Sequence, residues 1–249
     1  MPTLLLVAGV PMKRRLMIGG AALALLAALA GGGAYVYFFS GLRTSPTQLG
    51  LSSRPEPSSS TVSTAIAGTW TVTTGSLAGY RVKELFVGET SKHEAVARTS
   101  AVSGGMTVAG DATSGFMVTH ISITADLTQL HSVDSVAGRD VTQRDGVVFR
   151  QLDLSSFPTA SFTATSVSVA PTGTGSKVSL QIAGNLSLHG VTKPVTATAQ
   201  AQLNGDKLEV AGSVIADMSD FGVSPPHVPF VAVDSQLTIE FDVFLTKTA

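Results

Sequence analysis

The sequence predicts an all-β protein, in which an extended antiparallel barrel of about eight strands follows an N-terminal transmembrane helix and a linker. Two observations predict the barrel. Apolar and polar residues alternate in long runs after residue 67, and this period of two is typical of a sheet with one face in water. Aromatic residues make up only 6% of the chain, which is too few to fill the core between two packed sheets of such long strands.

The clearest alternating runs are nine to eleven residues long, at 161–169, 178–188, 195–203, 208–218 and 237–245. At about 3.3 Å per residue, such strands extend for roughly 30–36 Å. Closing them into a barrel removes the exposed sheet edges, and a barrel of about eight strands is just wide enough to hold one small ligand.

Turn and helix signals are sparse. Asn204-Gly205 lies between two alternating runs and predicts a type I′ hairpin. The interval 132–149 is the only part after residue 67 that favours a short helix. An outer-membrane barrel is not favoured, because the chain has an N-terminal apolar segment and lacks the aromatic girdles of that class.

Composition excludes several functional classes. The chain has no cysteine, so disulfides, thiolate metal sites and cysteine nucleophiles are excluded. The formal net charge is −1. Residues 68–249 carry 11 basic and 16 acidic side chains, so nucleic acid is not a predicted partner.

Residues 16–39 form an uncharged stretch of 24 residues, long enough to cross a bilayer as a helix. Lys13-Arg14-Arg15 precedes this stretch, and the positive-inside rule therefore places residues 1–15 in the cytoplasm and the rest of the chain outside it. Ala28-Leu29-Ala30 resembles a cleavage site, so the alternative is a signal peptide and a secreted protein.

Met12 is an alternative start to Met1. Residues 40–67 are rich in Ser, Thr and Pro without an apolar period, which predicts an unpacked linker before a barrel domain at 68–249.

Four motifs follow one another at 139–144 (RDVTQR), 157–162 (FPTASF), 184–195 (GNLSLHGVTKPV) and 220–223 (DFGV). In order and spacing they resemble the YceI-like family of polyisoprenoid-binding, lipocalin-like barrels. The resemblance covers about residues 68–246. It implies a barrel that closes around a long apolar lipid, typically an isoprenoid, in an exported compartment.

The apolar phase of the strands predicts the side chains that bind the ligand. The opposite phase includes Ser179, Gln181, Glu240 and Asp242, and burying those groups unpaired would cost several kcal/mol each. Small residues such as Gly184 would leave room inside. The predicted ligand-binding residues are Phe116, Phe149, Phe162, Leu180, Ile182, Leu186, Val214, Ile239 and Phe241.

Three further residues have two interpretations each. His189 lies in a turn before Gly190 and either shapes that turn or contacts the ligand. Arg139 and Arg144 either form an ion-pair clasp with Asp140 or contact a lipid headgroup.

The predicted function is an exported, membrane-tethered protein that holds an isoprenoid or similar long apolar lipid inside its barrel. A lipid of about 40 atoms would gain on the order of 12 kcal/mol, which corresponds to nanomolar affinity. No cofactor, metal site or catalytic residue is predicted, since the five histidines are scattered and no nucleophile elbow or phosphate loop occurs.

Two alternatives remain open. A lipid-modifying enzyme would need a titratable group in the pocket, for which His120 is the candidate. A ligand-free adhesion domain would have a filled core. The sequence makes no prediction of oligomeric state.

Overall fold

The computed structural model describes residues 25–29, 31–32, 43–52, 66–171 and 177–248. The chain divides into two compact units, Met1–Thr44 with Ser135–Gly138, and Ser45–Asp134 with Arg139–Ala249.

In the smaller unit, residues 25–29 and 31–32 are helical, and strand β1 (Arg43–Thr44) pairs with β8 (Ser135–Val136). The predicted cytoplasmic segment 1–15 and most of the predicted anchor 16–39 lie outside the described residues. Within the part of the chain that is described, no helix has the length and hydropathy needed to cross a membrane.

The larger unit contains a closed antiparallel barrel, which confirms the predicted all-β barrel. Its eight strands are β2 (Gly68–Val72), β5 (Val102–Asp111), β6 (Gly115–Asp126), β9 (Thr159–Val169), β10 (Val178–Leu188), β11 (Val191–Asn204), β12 (Lys207–Asp217) and β13 (Val231–Lys247). They are hydrogen-bonded in the ring order β12-β11-β10-β9-β6-β5-β2-β13, and a β12–β13 pairing closes the ring.

Strand β13 joins the barrel to a side extension. One edge of β13 pairs with β12, whereas the other edge pairs with β3 (Leu77–Phe86) from Val231 to Asp242 and with β2 near the end of β13. Beyond β3 follow β4 (His93–Thr99) and the short β7 (His131–Ser132).

The hairpin between β11 and β12 turns one residue later than predicted. Asn204 pairs with Lys207, so the loop is Gly205-Asp206, and Gly205 has φ of +65°. This register pairs Leu203 with Leu208 on the inner face and keeps Asp206 in the turn. A turn at Asn204-Gly205 would have placed Asp206 opposite Leu203, inside the barrel.

One end of the barrel, which we call the closed end, is covered by two short helices. The helix α1 (Gln143–Gln151) follows Thr142, and a 3-10 helix (Met218–Phe221) follows β12. The buried side chains Leu154 and Phe221 belong to the apolar clusters at this end. A helix ending at residue 151 agrees with the short helix expected near 132–149.

A buried ion-pair network, which we call the clasp, fixes α1 to the side extension. Arg144 donates to Glu84 Oε1 at 2.6 Å and to Asp134 Oδ1 at 2.7 Å. His93 Nε2 lies 2.7 Å from Asp134 Oδ2. Burial raises the pKa of Asp134, but hydrogen bonds from His93, Arg144 and the Val96 N–H outweigh burial and hold that pKa at about 2. Asp134 therefore stays ionised at neutral pH and keeps Arg144 in place.

Residues 45–52, which lie within the predicted linker, are packed on the barrel. We call this extended segment the strap. Its contacts include hydrogen bonds from the Leu49 N–H to Glu240 Oε2 at 3.0 Å and from the Ser52 Oγ to Glu209 Oε2 at 2.8 Å. The expectation of an unpacked linker is wrong for these residues, because the carboxylates that hold them are far away in the sequence.

Replacing Arg144 by Met tests the clasp. The variant leaves Glu84 and Asp134 as buried carboxylates without their cation, so we expect the free energy of unfolding to fall by about 3–5 kcal/mol. Urea unfolding followed by the fluorescence of Trp70, the chain's single tryptophan and fully buried, measures this loss. The matched control is Arg150→Met, on the same helix but exposed, which should change stability by no more than about 0.5 kcal/mol. Equal effects of the two variants would contradict a stabilising role for the clasp.

Candidate functional site: an apolar cavity inside the barrel

The barrel encloses a cavity of about 560 Å³. Its walls are the inward side chains of the ring strands. At the end away from α1 it is bordered by Ile66, Ala67 and the β5–β6 hairpin residues Asp111, Ala112 and Thr113. Ala112 and Thr113 are exposed, and we call this end the mouth.

Eight of the nine apolar residues predicted to bind ligand line this cavity. They lie inside because alternate residues of a strand face the same side of the sheet, and because the strand register places the inward residues of neighbouring strands next to one another. Val214 lies opposite Ile239, for example, and Gly212 opposite Phe241. The eight are Phe116, Phe162, Leu180, Ile182, Leu186, Val214, Ile239 and Phe241.

Gly184 makes room for a side chain of the protein. A Cβ atom at this position would collide with the ring of Phe162. The space that Gly184 leaves is therefore taken by Phe162, and the expectation that it adds free volume for a ligand is wrong.

Phe149 does not line the cavity. It lies on α1 and its side chain is 42% exposed. Its inward position was predicted from the alternation of a strand, and this alternation does not apply because Phe149 belongs to a helix at the closed end.

His189 belongs to the closed end as well. It adopts φ of +51° in the turn between β10 and β11, its Nδ1 lies 3.1 Å from the carbonyl oxygen of Phe221, and its ring packs edge-on at 5.1 Å from Phe157. A Cβ atom on the following Gly190 would lie 2.6 Å from the Phe157 ring. These contacts agree with the turn interpretation.

Arg139 and Arg144 do not line the cavity either. Arg144 is the centre of the clasp, and Arg139 stacks 4.1 Å above the ring of Phe86. Arg139 also approaches Glu89 at 3.9 Å. Asp140, the expected partner, instead accepts from Thr142. The clasp interpretation therefore holds for Arg144 with different partners.

Several lining residues were missed by sequence reasoning. Met106 and Val108 of β5 share the inward phase, but glycines interrupt the alternation of that strand. Val210 and Val243 lie within the alternating runs 208–218 and 237–245 and share their inward phase. The period of two therefore predicts these two residues as well. Ile66 and Ala67 lie in the predicted linker, where no pattern marks them.

The cavity is apolar and has a single ionisable residue among the described residues that line it. That residue is Asp111, at the mouth. The N–H groups of Ser114 and Thr113 donate to its carboxylate and lower its pKa. Asp111 is therefore anionic at neutral pH, and no described lining side chain is a cation that could neutralise an anionic ligand.

The described residues that line the cavity include no cluster suited to binding a metal or to catalysis. Glu84, His93 and Asp134 offer ligand atoms within 4.8 Å of one another, but they belong to the clasp, and the Arg144 guanidinium already supplies the positive charge there. His120, the candidate for an enzymatic role, is exposed and does not line the cavity.

Comparisons with known proteins agree with this architecture. Residues 56–245 match the model of the YceI-like domain. A UPF0312 protein of Pseudomonas putida is 30% identical over 95 residues, which is 36% of this chain and 47% of that protein. A UPF0312 protein of Pseudomonas syringae pv. tomato is 32% identical over 97 residues, with the same coverage. The matched stretch thus spans about half the length of these curated relatives.

Two solved structures are similar. A polyisoprenoid binding domain from Saccharophagus degradans aligns with a TM-score of 0.49 and 16% identity, over 73% of this chain and 99% of that one. Burkholderia cenocepacia BcnA aligns with a TM-score of 0.43 and 20% identity, over 66% of this chain and 95% of that one. The family model covers most of the barrel unit, including all four sequence motifs, and the chain therefore belongs to the YceI-like domain family.

Proposed function

We propose that this protein binds an uncharged, isoprenoid-like lipid in its barrel, and that it does so without chemical turnover. The observation that carries the proposal is the cavity, which is bounded by apolar side chains on the inner faces of the ring strands. Burial of apolar surface is sufficient to hold such a ligand. Membership of the YceI-like family, which is characterised by polyisoprenoid binding, supports an isoprenoid-type chain.

The charge of the lining favours an uncharged ligand. Phosphate and carboxylate groups in proteins are normally held by Arg, Lys or backbone N–H groups. The one charge among the described lining residues is the carboxylate of Asp111. A phosphate or diphosphate at the mouth would meet a like charge there, whereas an alcohol or a quinone ring would not.

The volume of the cavity limits how much of the ligand it encloses. A group the size of a water molecule needs about 10–15 Å³ of the open space inside a cavity, so a cavity of about 560 Å³ has room for roughly 40 atoms. At about 0.3 kcal/mol per atom a chain of this size gains on the order of 12 kcal/mol, which corresponds to nanomolar affinity. The cavity is therefore large enough for the 40-atom chain expected from the sequence.

A series of prenyl lipids tests both properties. Native mass spectrometry and displacement of a fluorescent fatty alcohol would be measured with prenols of 10, 15, 20 and 45 carbon atoms on the full chain. We expect affinity to rise with chain length up to about 40 carbon atoms and then to level off. Geranylgeranyl diphosphate should bind at least tenfold more weakly than geranylgeraniol. Failure of every prenol to bind would refute the proposed function. Tighter binding of the diphosphate than of the alcohol would refute the proposal that the ligand is uncharged.

Filling the cavity tests the position of the ligand. Ile182→Trp keeps the inner face apolar and takes up space, so the variant should fold and lose prenol binding by at least tenfold. The matched control is Ala183→Trp, which adds the same ring to an exposed position of β10 and should bind as the parent does. Loss of about 1–3 kcal/mol of stability without loss of binding would indicate a filled core and a different ligand site.

We further propose that the protein is exported and membrane-tethered through residues 16–39, with secretion after cleavage as the alternative. The support is the uncharged 24-residue stretch after Lys13-Arg14-Arg15. An alkaline phosphatase fused to the C-terminus should be active only when residues 16–39 are present. In a second fusion, the C-terminus carries a reporter that is active only in the cytoplasm. Activity of that reporter would contradict export. Fractionation then separates the two forms, because an anchored chain sediments with membranes and a cleaved one does not.

A further inference from the structure

The strap contacts four charged side chains on the outer surface of the barrel wall and its extension. We call Arg81, Arg98, Glu209 and Glu240 the strap face. Glu240 lies between the lining residues Ile239 and Phe241, and Glu209 between Leu208 and Val210, so both carboxylates point away from the cavity. Both have no exposed surface, and Arg81 is 6% exposed.

The strap face binds mainly the main chain of the strap. Arg81 and Arg98 donate to the carbonyl oxygens of Pro46 and Thr47. The N–H groups of Leu49 and Ser52 donate to Glu240 and Glu209. The Ser52 hydroxyl also donates to Glu209, and the Ser45 hydroxyl donates to the carbonyl oxygen of Glu94, beside the strap face. Because carbonyl and N–H groups are common to all peptides, these contacts depend little on the strap's sequence.

The strap face is also internally paired. Glu240 accepts from Arg81 Nε at 2.6 Å and from Arg98 Nε at 2.8 Å, and Arg81 Nη1 donates to Glu94 at 2.8 Å. Glu209 accepts from Asn204 at 2.9 Å. If the strap leaves, these side chains keep their partners and gain water. Departure of the strap therefore leaves Glu240 with its two arginines and Glu209 with the Asn204 amide, and it exposes these groups to water.

The strap itself is held loosely in comparison with a strand. Residues 45–52 form no ladder pairing within the described part of the chain, and Thr47, Gln48, Gly50 and Ser52 are exposed. Thirteen residues, 53–65, join the strap to Ile66. A covalent connection of this kind gives an effective concentration on the order of millimolar, so even a weakly bound strap occupies its site.

We propose that the strap face is a binding site for an extended peptide, which it recognises through the peptide main chain, and that residues 45–52 are its resident and displaceable ligand. The site lies on the opposite side of the barrel wall from the lipid cavity. It is therefore independent of the proposed lipid-binding function.

One feature of the strap face makes its occupancy sensitive to pH. Asp242 also points outward from β13. It lies between Glu240 and Phe244, the residue that pairs with Glu209, and its Oδ1 is buried without a hydrogen-bond partner. Burial first, and the charge of Glu209 second, raise the pKa of Asp242 to about 7. The charged group that acts on it is Glu209 from β12; Glu240, two residues away on its own strand, is already paired with Arg81 and Arg98 from β3 and β4.

The direction of the pH effect follows from this shift. The strap runs from Glu240 to Glu209 and so passes the level of Asp242. With the strap bound, Asp242 keeps its proton up to about pH 7. Without the strap, water reaches the carboxyl group and its pKa falls toward the ordinary value of 3.8. Binding of the strap therefore takes up a proton, and affinity for the peptide falls as the pH rises toward 7 and is constant above it.

Cutting the connection to the strap tests the proposal on the full chain. A protease recognition sequence is inserted after Ser58, the purified protein is cut, and a fluorescein-labelled peptide with the sequence of residues 43–52 is added. Fluorescence anisotropy should show binding to the cut protein and at least tenfold weaker binding to the uncut protein, whose own strap competes. Absence of exchange in a cut protein that keeps its native Trp70 fluorescence would overturn the proposal that the strap is displaceable.

Modified peptides test recognition of the main chain. Methylation of the Leu49 amide nitrogen removes the donor to Glu240 and should weaken binding at least tenfold. Methylation of the Gln48 nitrogen is the matched control, because this N–H has no hydrogen bond within the described residues; it should change affinity less than threefold. A Leu49→Ala peptide keeps the N–H and should retain most of its affinity. A large loss for Leu49→Ala together with normal binding of the peptide methylated at Leu49 would show side-chain recognition and overturn the proposal.

Two measurements complete the test. Affinity for the peptide should be at least tenfold higher at pH 5 than at pH 8, and Asp242→Asn should abolish this difference; an unchanged pH dependence in the variant would overturn the role of Asp242. If the inserted sequence prevents folding, hydrogen exchange of the uncut parent protein replaces the cut. The Leu49 and Ser52 amides should then exchange at least a hundredfold faster than those of Val243 and Leu245, and equal protection would show that the strap is a permanent part of the fold.

Discussion

Hydrogen bonding along both edges of β13 is the constraint on which the remaining structure depends. This strand of 17 residues pairs with β12 on one side and with β2 and β3 on the other. The first and last strands of the ring thereby meet, and the sheet has no open edge at that point. Once the ring is closed, the alternation along each strand decides which side chains meet inside and which remain outside.

The two faces of β13 consequently have opposite chemistry. Ile239, Phe241, Val243 and Leu245 all line the cavity, whereas Glu240 carries its charge on the outer face. The inside therefore recognises a ligand by shape and apolar area, which gives affinity with little selectivity among uncharged lipids. The outside recognises its ligand by charge and hydrogen bonds. Each kind of recognition can operate without disturbing the other, since a strand presents them on opposite sides of one backbone.

The sequence was informative where one local pattern decides the outcome. The run 178–188 coincides with β10, and eight of the nine apolar residues predicted to bind ligand line the cavity, because a period of two in a closed sheet leaves one choice of inner face. Phe149 was misplaced because its position is governed by a helix. The turn at Gly205 was displaced by one residue because the pairing of Leu203 with Leu208 determines the register.

Interactions between distant residues could not be predicted in this way. Arg144 contacts Glu84 across 60 positions, and Leu49 contacts Glu240 across 191. The strap has no apolar period and is held through its main chain, so its composition resembles that of an unpacked linker. Contacts of this kind leave no signature in one sequence, since almost any residue other than proline supplies the same N–H and carbonyl groups.

The meeting of Phe157, His189 and Phe221 at the closed end has a consequence for how such barrels diverge. These residues come from three of the four sequence motifs, yet the ring of Phe157 packs on His189 and Gly190, and His189 hydrogen-bonds to Phe221. A substitution in one motif changes the environment of the other two, so the three should drift together as a unit. The hairpin residues Asp111, Ala112 and Thr113 at the mouth take no part in this contact set. Selectivity for new lipids can therefore evolve at the mouth while the closed end stays fixed.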